Sequence, residues 1–191
     1  YDSSLKLFNE LGAITQWQFC GVFENLNSSG LDIEYEPELY AKKDKLFDAN
    51  SNGKIGWYNP KEALAEGYHF FANEGEYGNG IIYAQTFIQA NEKKDYILSF
   101  GANSGLKIFL NDKEIYVNQD VKRTNLDAYN IKIALEKGYN RLLFKLEMQN
   151  GGDYFSAQIK NMDTTITSDL KFMNTFQPYV TSVSESSNAE E

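Results

Sequence analysis

The stretch DANSNGKIGWYN at residues 48–59 contains residue types that could bind a calcium ion. Counted from Asp48, the order Asp-x-Asn-x-Asn-Gly-x-Ile matches the first half of an EF-hand loop. Calcium prefers oxygen donors, and the side chains of Asp48, Asn50 and Asn52 place oxygens at the alternate positions that such a loop uses. Weak calcium binding by these three residues is therefore one interpretation of the stretch.

The second half of the stretch favours a different structure. An EF-hand loop ends on a bidentate glutamate, and here that position is Asn59, which has no carboxylate. An EF-hand also needs a helix on each side, whereas Pro60 and the aromatic run IGWYN lie beside this loop. We prefer a hairpin that turns at Asn52-Gly53, because the glycine supplies the positive φ of a tight turn. We therefore predict no cofactor and no metal site.

The residues needed for nucleophilic or metal-assisted catalysis are scarce. The sequence has one histidine, His69, and one cysteine, Cys20, and both lie in aromatic runs typical of strands. A Ser-His-Asp unit, a Cys-His unit and most catalytic zinc sites would all require that histidine. We interpret both residues as structural, with Cys20 a small buried hydrophobic residue, and predict that the chain is not an enzyme.

Paired carboxylates are the remaining route to catalysis. Glu34, Glu36 and Glu38 alternate in LDIEYEPE, and in an extended strand they would all lie on one face. Two such groups could act as the acid and base of a glycosidase. The preferred alternative is a solvated acidic edge that discourages pairing with other strands.

The elements that must position these residues are mainly strands. The chain has 191 residues, of which 42% are hydrophobic and 15% aromatic, and this is enough for one domain with a substantial core. After a short helix at 2–12, strand-like runs recur every eight to twelve residues, separated by Gly, Asn or Asp. This spacing predicts an all-β antiparallel sandwich or barrel.

Two of these runs alternate clearly enough to predict a core-facing side, and one late segment stays ambiguous. The segment 169–176 fits either an edge strand or a helical turn. The predicted core-facing residues are Leu106, Ile108 and Leu110 in one run and Ile131, Ile133 and Leu135 in the other.

Charge and hydropathy exclude two classes of partner. The net charge of −9 argues against nucleic acid, since phosphate binding needs clustered Lys and Arg, and against an anionic membrane surface. The sequence has no apolar run of about 18 residues, so we predict no membrane insertion.

Three stretches together resemble one family. They are WQFCGVFENLNSSGLDIEYEPE, then IIYAQTFIQA with YILSFGANSGLKIFLNDKEIY, and then LEKGYNRLLFKLE. Their order resembles galactose-binding-like jelly-roll modules of bacterial tetratricopeptide, transglutaminase-like and glycoside-hydrolase-associated proteins. The resemblance covers roughly residues 15–160. Val22 and Asp112 depart from the family pattern, and residues 102–105 lack the carboxylates that bind calcium in a related sugar-binding group.

The resemblance implies a jelly-roll β-sandwich in a periplasmic, cell-surface or secreted protein. It divides the chain into an N-terminal helix at 1–14, which could end a preceding helical repeat, a sandwich at 15–178 and a polar acidic tail or linker at 179–191. It also assigns Glu38 a structural role, as a hydrogen-bond acceptor for loop N–H groups.

A carbohydrate site would need an exposed aromatic platform for the apolar face of a sugar, with polar groups for its hydroxyls. Loops of a sandwich usually place such groups. Trp17 and Trp57 match apolar positions and are expected in the core. The candidate ligand-binding residues are Tyr35, Trp57, Asn103, Arg123 and Asp127, with Tyr77 and Asp153 as further loop candidates.

Three functions therefore stay open from the sequence. The first is a non-catalytic accessory module of a larger extracytoplasmic bacterial protein, with a glycan as partner. The alternative is a structural or interaction spacer that contacts the neighbouring domains of its parent chain and binds no small ligand. The least favoured is a hydrolase in its own right, which would need two carboxylates about 5–9 Å apart across a cleft.

Overall fold

The computed structural model describes residues 2–60, 64–65, 68–70, 79–119, 125, 127–148 and 153–181. The helices are α1 (Asp2–Glu10) and α2 (Glu36–Leu39). The strands are β1 (Gln18–Glu24), β2 (Phe47–Asp48), β3 (Lys54–Ile55), β4 (Leu64–Ala65), β5 (Tyr68–Phe70), β6 (Gly80–Ala90), β7 (Lys94–Ala102), β8 (Leu106–Leu110), β9 (Lys113–Asn118), β10 (Tyr129–Leu135), β11 (Gly138–Met148), β12 (Tyr154–Lys160) and β13 (Lys171–Met173). None of the described helices is long and apolar enough to span a membrane.

Two antiparallel sheets form the body of the protein. The first sheet has the order β1-β6-β11-β8-β9, and β13 also pairs with β6. The second has the order β10-β7-β12-β5-β4, and β2 and β3 form a separate hairpin. The chain crosses between the sheets after β5, β6, β7, β9, β10, β11 and β12. The predicted all-β sandwich with a short N-terminal helix is confirmed.

The main core lies between the two sheets. Leu106, Ile108 and Leu110 of β8 contribute to it, as their alternation predicted. From β10, Ile133 and Leu135 are buried in the same core, and Ile131 packs against it.

A second core covers the other face of the first sheet. Residues 25–59, here called the covering segment, pack across it and bury Phe47 and Trp57 against Tyr83 and Leu143. Cys20 lies in this core and is fully buried, as predicted. Trp17 is buried in the main core, so both tryptophans are core residues. The central strands of the first sheet, β6 and β11, are therefore buried on both faces.

The prediction of an extended acidic strand at LDIEYEPE is wrong. Residues 36–39 form α2, with Pro37 in its first turn, and the carboxylate of Glu38 accepts a hydrogen bond from the Tyr35 N–H. Proline is well suited to the start of a helix, and a glutamate in the third position caps it. Glu34, Glu36 and Glu38 therefore do not share the face of a strand, although Glu38 does accept from a loop N–H as predicted.

The C-terminal part of the described chain packs on the first sheet. Of the two structures predicted for 169–176, the edge strand is confirmed, because β13 pairs with β6 from Lys171↔Gln89 to Met173↔Phe87. Tyr179 lies beside the Arg141 side chain of β11, so the first residues of the predicted tail belong to the packed structure. Residues 182–191 lie outside the described residues.

Candidate functional site

A groove of about 290 Å³ separates α1 from the outer face of the second sheet. We call it the helix groove. One side comes from the helix and the residues after it, the floor from β12, and the far side from the loop before β10. Its lining residues are Phe8, Leu11, Ala13, Asp127, Ser156, Ala157 and Gln158.

Backbone contacts after α1 fix the helical side of the groove. The helix stops at Gly12, whose φ of +82° is a left-handed conformation that glycine adopts without strain. Ala13 then forms a β-bridge with Gln158, and the Ile14 N–H donates to the Ala157 carbonyl at 2.8 Å. The Gln158 side-chain amide donates to the Leu11 carbonyl. Together these bonds hold the end of α1 along β12.

The floor of the groove is polar because outward-facing positions alternate with core positions along the strands. Phe155 and Ala157 face the main core, so Ser156 and Gln158 face outward. On the neighbouring strand, the Ser99 hydroxyl is hydrogen-bonded to the Asn130 side chain.

The opposite side of the groove depends on close packing at Gly101. A Cβ atom at this glycine would lie 2.1 Å from the carbonyl oxygen of Asn125, so the loop before β10 rests directly on the sheet. The Asn130 amide donates to the Asp127 carbonyl at 3.4 Å. These contacts place the Asp127 carboxylate at the groove.

The groove combines an apolar side with hydrogen-bonding groups. Phe8 is half-buried and Leu11 is exposed, so both present apolar surface at the opening. Asp127 is exposed, and the Lys160 ammonium group lies 3.8 Å from its carboxylate. An apolar surface opposite a carboxylate, a hydroxyl and an amide suits a small ring that has one apolar face and several hydroxyls.

The other candidate residues do not gather at this groove. Tyr35 is half-buried in the second core and donates its hydroxyl to the Glu24 carbonyl. Trp57 is buried and donates its ring N–H to the Tyr40 carbonyl at 2.9 Å. Neither ring is an exposed platform.

Two further candidates lie near the start of β12. The Asn103 side chain accepts a hydrogen bond from the Tyr154 N–H at 2.8 Å, which fixes the start of β12. Asp153, which precedes Tyr154 in the chain, is buried. Arg123 and Tyr77 lie outside the described residues. Of the five candidates within the described residues, Asp127 is the one that lines the helix groove.

Phe8, Leu11, Ser156 and Gln158 were not among the candidates predicted from sequence. Phe8 and Leu11 have the spacing of one helical face, and that signal was visible. Their role as a side of the groove depends on the bridge between Ala13 and Gln158, which joins distant parts of the chain.

A hairpin forms at 48–59 as predicted, with β2 and β3 on its two sides. Its turn is longer than the tight turn predicted at Asn52-Gly53, because a 3-10 helix at Asn50–Asn52 precedes Gly53, whose φ is +75°. Asp48 accepts a hydrogen bond from the Asn50 N–H and lies 3.1 Å from the Lys54 ammonium, and these contacts lower the pKa of its carboxyl. The Asn52 amide donates to the Val22 carbonyl. Among the described residues, no group of three or more His, Cys, Asp or Glu is arranged to hold a metal ion.

Cys20 has the surroundings of a structural residue. His69 lies in β5, as its strand-like run predicted, and its side chain is outside the described part of the structure. Burial raises the pKa of the Cys20 thiol well above its usual range, and this keeps the thiol protonated and unreactive.

Buried ionic groups fasten the covering segment to the first sheet. Lys145 of β11 contacts the Glu38 carboxylate at 2.7 Å, and the Tyr83 hydroxyl donates to the same carboxylate at 2.6 Å. Arg141, on the same strand, donates to the carbonyls of Pro37 and Glu38. Because these groups are buried and mutually satisfied, we assign them to stability and not to ligand binding.

Comparisons with known proteins find distant similarity to solved structures alone. No family model and no curated protein matches the chain. The β-glucosidase of Kluyveromyces marxianus, solved in complex with glucose, is similar at 13% identity with a TM-score of 0.47 over 75% of this chain. This chain spans 16% of the length of that enzyme.

Two smaller proteins are also similar. A family 35 carbohydrate-binding module from Clostridium thermocellum matches at 18% identity with a TM-score of 0.37, covering 52% of this chain and 85% of the module. The epithelial adhesin 9 A domain of Candida glabrata, in complex with Galb1-3GlcNAc, matches at 9% identity with a TM-score of 0.42. The match covers 89% of this chain and 90% of that domain. These scores are too low to carry an argument about function, so the proposal below depends on this chain's own residues.

Proposed function

We propose that this chain is a non-catalytic glycan-binding module and that the helix groove binds one sugar residue. The observation that carries the proposal is the pairing of the apolar Phe8 and Leu11 with the Asp127 carboxylate across a floor that contains Ser156 and Gln158. A sugar ring can pack its apolar face on the helix while its hydroxyls donate to the carboxylate. The volume of about 290 Å³ is near the lower end of the range for ligand pockets, roughly 300–1,000 Å³.

The wider setting of the module is part of the same proposal. We place it in a larger extracytoplasmic bacterial protein, on the basis of the three stretches that resemble galactose-binding-like modules. The proposed partners are a glycan and the neighbouring domains of the parent chain. No residue is assigned to catalysis, and no cofactor is required.

One observation favours the spacer as a second candidate function. Leu7 of α1 is 52% exposed and does not line the groove, so the helix also presents apolar surface to solvent. A neighbouring domain that packs on α1 would cover this leucine and narrow the groove. The two functions therefore differ in whether a sugar or a protein surface contacts the helix.

A glycan array, probed once with calcium and once with a chelator, tests the proposal. We expect binding that persists in the chelator. Asp127→Ala should weaken it about tenfold or more, because a hydrogen bond to a charged group accounts for at least that factor. Leu11→Ala should weaken it severalfold through lost apolar contact.

Matched substitutions serve as controls. Leu7→Ala changes a leucine of α1 whose exposure is 52%, against 51% for Leu11 just after the helix, and should leave binding unchanged. Asp44→Ala removes an exposed carboxylate from the covering segment and should also have no effect. An array with no binding, or binding that Asp127→Ala and Leu11→Ala leave intact, would reject the groove as a glycan site and favour the spacer.

A further inference from the structure

A second groove, of about 360 Å³, lies between the two sheets along one side of the sandwich. We call it the edge groove. It is formed by the start of β9, the end of β10 and the last described residues of the chain. Its lining residues are Leu110, Asn111, Lys113, Ile115, Lys132, Ile133, Ala134, Glu136, Val180 and Thr181.

The edge groove exists because the sandwich is open on this side. Within the described residues, β9 pairs with β8 alone and β10 with β7 alone, so each is the last strand of its sheet. The gap between these strands exposes the margin of the main core. Leu110 and Ile133 are buried at its base, and Ile115 is half-buried, so the floor is apolar.

Cationic side chains come from both edges of this groove. Lys113 lies on β9 and Lys132 on β10, and both residues are exposed. Lys132 is 2.6 Å from the Asp95 carboxylate, whereas Lys113 has no ion-pair partner among the described residues. The acidic Glu136 is paired with Lys93 at 2.6 Å. Within the described part of the chain the groove therefore has an ammonium group without an ion-pair partner, in a protein whose net charge is −9.

Hydrogen bonds hold the end of the edge groove in place before any ligand arrives. The Asn140 side chain accepts from the Asn111 amide at 2.8 Å and from the Glu136 N–H at 2.9 Å. It also donates to the Glu136 carbonyl at 2.8 Å, and Asn111 accepts from the Arg141 N–H. The two edges are thus tied together at this end, which lowers the cost of ordering the site on binding.

We infer that the edge groove is a second binding site, for a ring that carries a carboxylate. The ring packs on the apolar floor of Leu110, Ile115 and Ile133, and its carboxylate contacts Lys113, with Lys132 on the opposite edge. Charge-assisted hydrogen bonds of this kind are among the stronger ones available to a surface groove. A uronic acid residue of an acidic glycan and an aromatic acid share this chemistry. The site is distinct in residues and in charge from the helix groove, where the ligand faces a carboxylate.

Calorimetric titration of the whole chain with three probes tests the inference. The probes are an oligo-glucuronate, a neutral glucose oligomer of the same length, and benzoate. We expect a carboxylate probe to bind and the neutral oligomer to show no binding at the edge groove. Rising salt should weaken the binding, because screening acts strongly between exposed charges. Binding of benzoate alone would support the inference and assign the ligand to aromatic acids, and binding of oligo-glucuronate alone would assign it to acidic glycans.

Substitutions locate the site. Lys113→Ala should weaken carboxylate binding about tenfold, the factor expected for one hydrogen bond to a charged group. Lys43→Ala removes an equally exposed lysine from the covering segment and should have no effect. Asp127→Ala should also leave carboxylate binding at the edge groove intact. The substitutions therefore test the two grooves separately, and one proposed site can be rejected without the other. The inference is overturned if neither carboxylate probe binds, or if Lys113→Ala leaves the affinity unchanged.

Discussion

The Nζ atom of Lys145 lies 2.7 Å from Oε1 of Glu38, although 107 residues separate the two in sequence. Both side chains are buried, with Lys145 1% and Glu38 10% exposed. Lys145 also donates to the carbonyls of Leu31 and Ile33, so all three of its N–H groups have acceptors. Burial lowers the pKa of Lys145, and the Glu38 carboxylate opposes that effect. The pair therefore anchors the covering segment on the first sheet.

Removal of either partner of this pair should be costly. Glu38→Leu leaves the Lys145 ammonium buried without its counter-charge, and loss of one partner of a buried ion pair costs about 3–5 kcal/mol. The double substitution Glu38→Leu with Lys145→Met removes both charges and should recover most of that loss. Urea unfolding of the single and double variants measures the coupling.

The exposed pair of Asp48 and Lys54 supplies a control for this cycle. The two groups are 3.1 Å apart, but both side chains are more than half exposed. Lys54→Met should therefore cost no more than about 1 kcal/mol. A Glu38→Leu variant that is as stable as Lys54→Met would show that the buried pair does not anchor the covering segment.

The main fold could be predicted because its signals are local. Alternation at Leu106, Ile108 and Leu110 fixes one face of β8 whatever its partners are, and Asn52-Gly53 fixes a turn. The packing of the covering segment was harder to predict. Lys145 and Arg141 occur in a strand that faces a second core, and charged residues in a strand normally indicate a solvent face. Their burial depends on residues far away in sequence.

The helix groove could be predicted in one part only. Asp127 was among the candidates because it lies in a long loop between strands. Trp57 was attractive as an aromatic platform, and its burial depends on the Tyr40 carbonyl and the Arg141 side chain, which no local pattern reveals. The helical side of the groove likewise depends on a bridge between distant residues.

Substitution of Gly101 tests whether the loop before β10 is held by close packing. In Gly101→Ala the added methyl would meet the Asn125 carbonyl at 2.1 Å, so the loop must move away from the sheet. We expect a loss of about 1–3 kcal/mol in stability, as for other overpacked sites. The Ala128 N–H donates to that carbonyl, so its hydrogen exchange should accelerate.

Gly105→Ala is the matched control for this substitution. Its added methyl would lie 2.8 Å from side-chain atoms of Leu31 and of Glu147, which belongs to β11 of the first sheet. It should destabilise the protein without a selective effect on Ala128. Equal exchange at Ala128 in the two variants would contradict a local displacement of the loop in Gly101→Ala.

Calcium should not stabilise the hairpin at 48–59. The Asp48 carboxylate is already paired with Lys54, and Asn52 uses its amide on the Val22 carbonyl. A cation would have to displace Lys54 and would find a single charged ligand. Thermal unfolding in excess calcium and in a chelator, at matched ionic strength, should give the same Tm. A higher Tm in calcium that Asp48→Asn abolishes would revive the calcium interpretation.

Stability should fall at alkaline pH because buried tyrosines resist ionisation. Burial raises the pKa of Tyr179 to about 12, with a further contribution from the Asp112 carboxylate, and Arg141 partly opposes the effect. Burial and the hydrogen bond to Asp169 likewise raise the pKa of Tyr96 to about 12. A tyrosine in the unfolded chain has a pKa of about 10. Between that pH and the higher pKa of the folded chain, unfolding therefore releases a proton that the folded chain keeps. Their contribution is complete below pH ~10 and is lost as the pH rises through about 12.

Urea unfolding as a function of pH measures this loss. Each such tyrosine should contribute a slope of at most about 1.4 kcal/mol per pH unit across that window. Tyr179→Phe should flatten the decline, and the double substitution with Tyr96→Phe should flatten it further, because the two residues do not share a contact. At neutral pH Tyr179→Phe should cost about 1.5–3 kcal/mol for the lost bond to the Asp112 carboxylate. An alkaline slope that is identical in the wild type and in both variants would mean that these tyrosines ionise as freely in the folded chain as in the unfolded one.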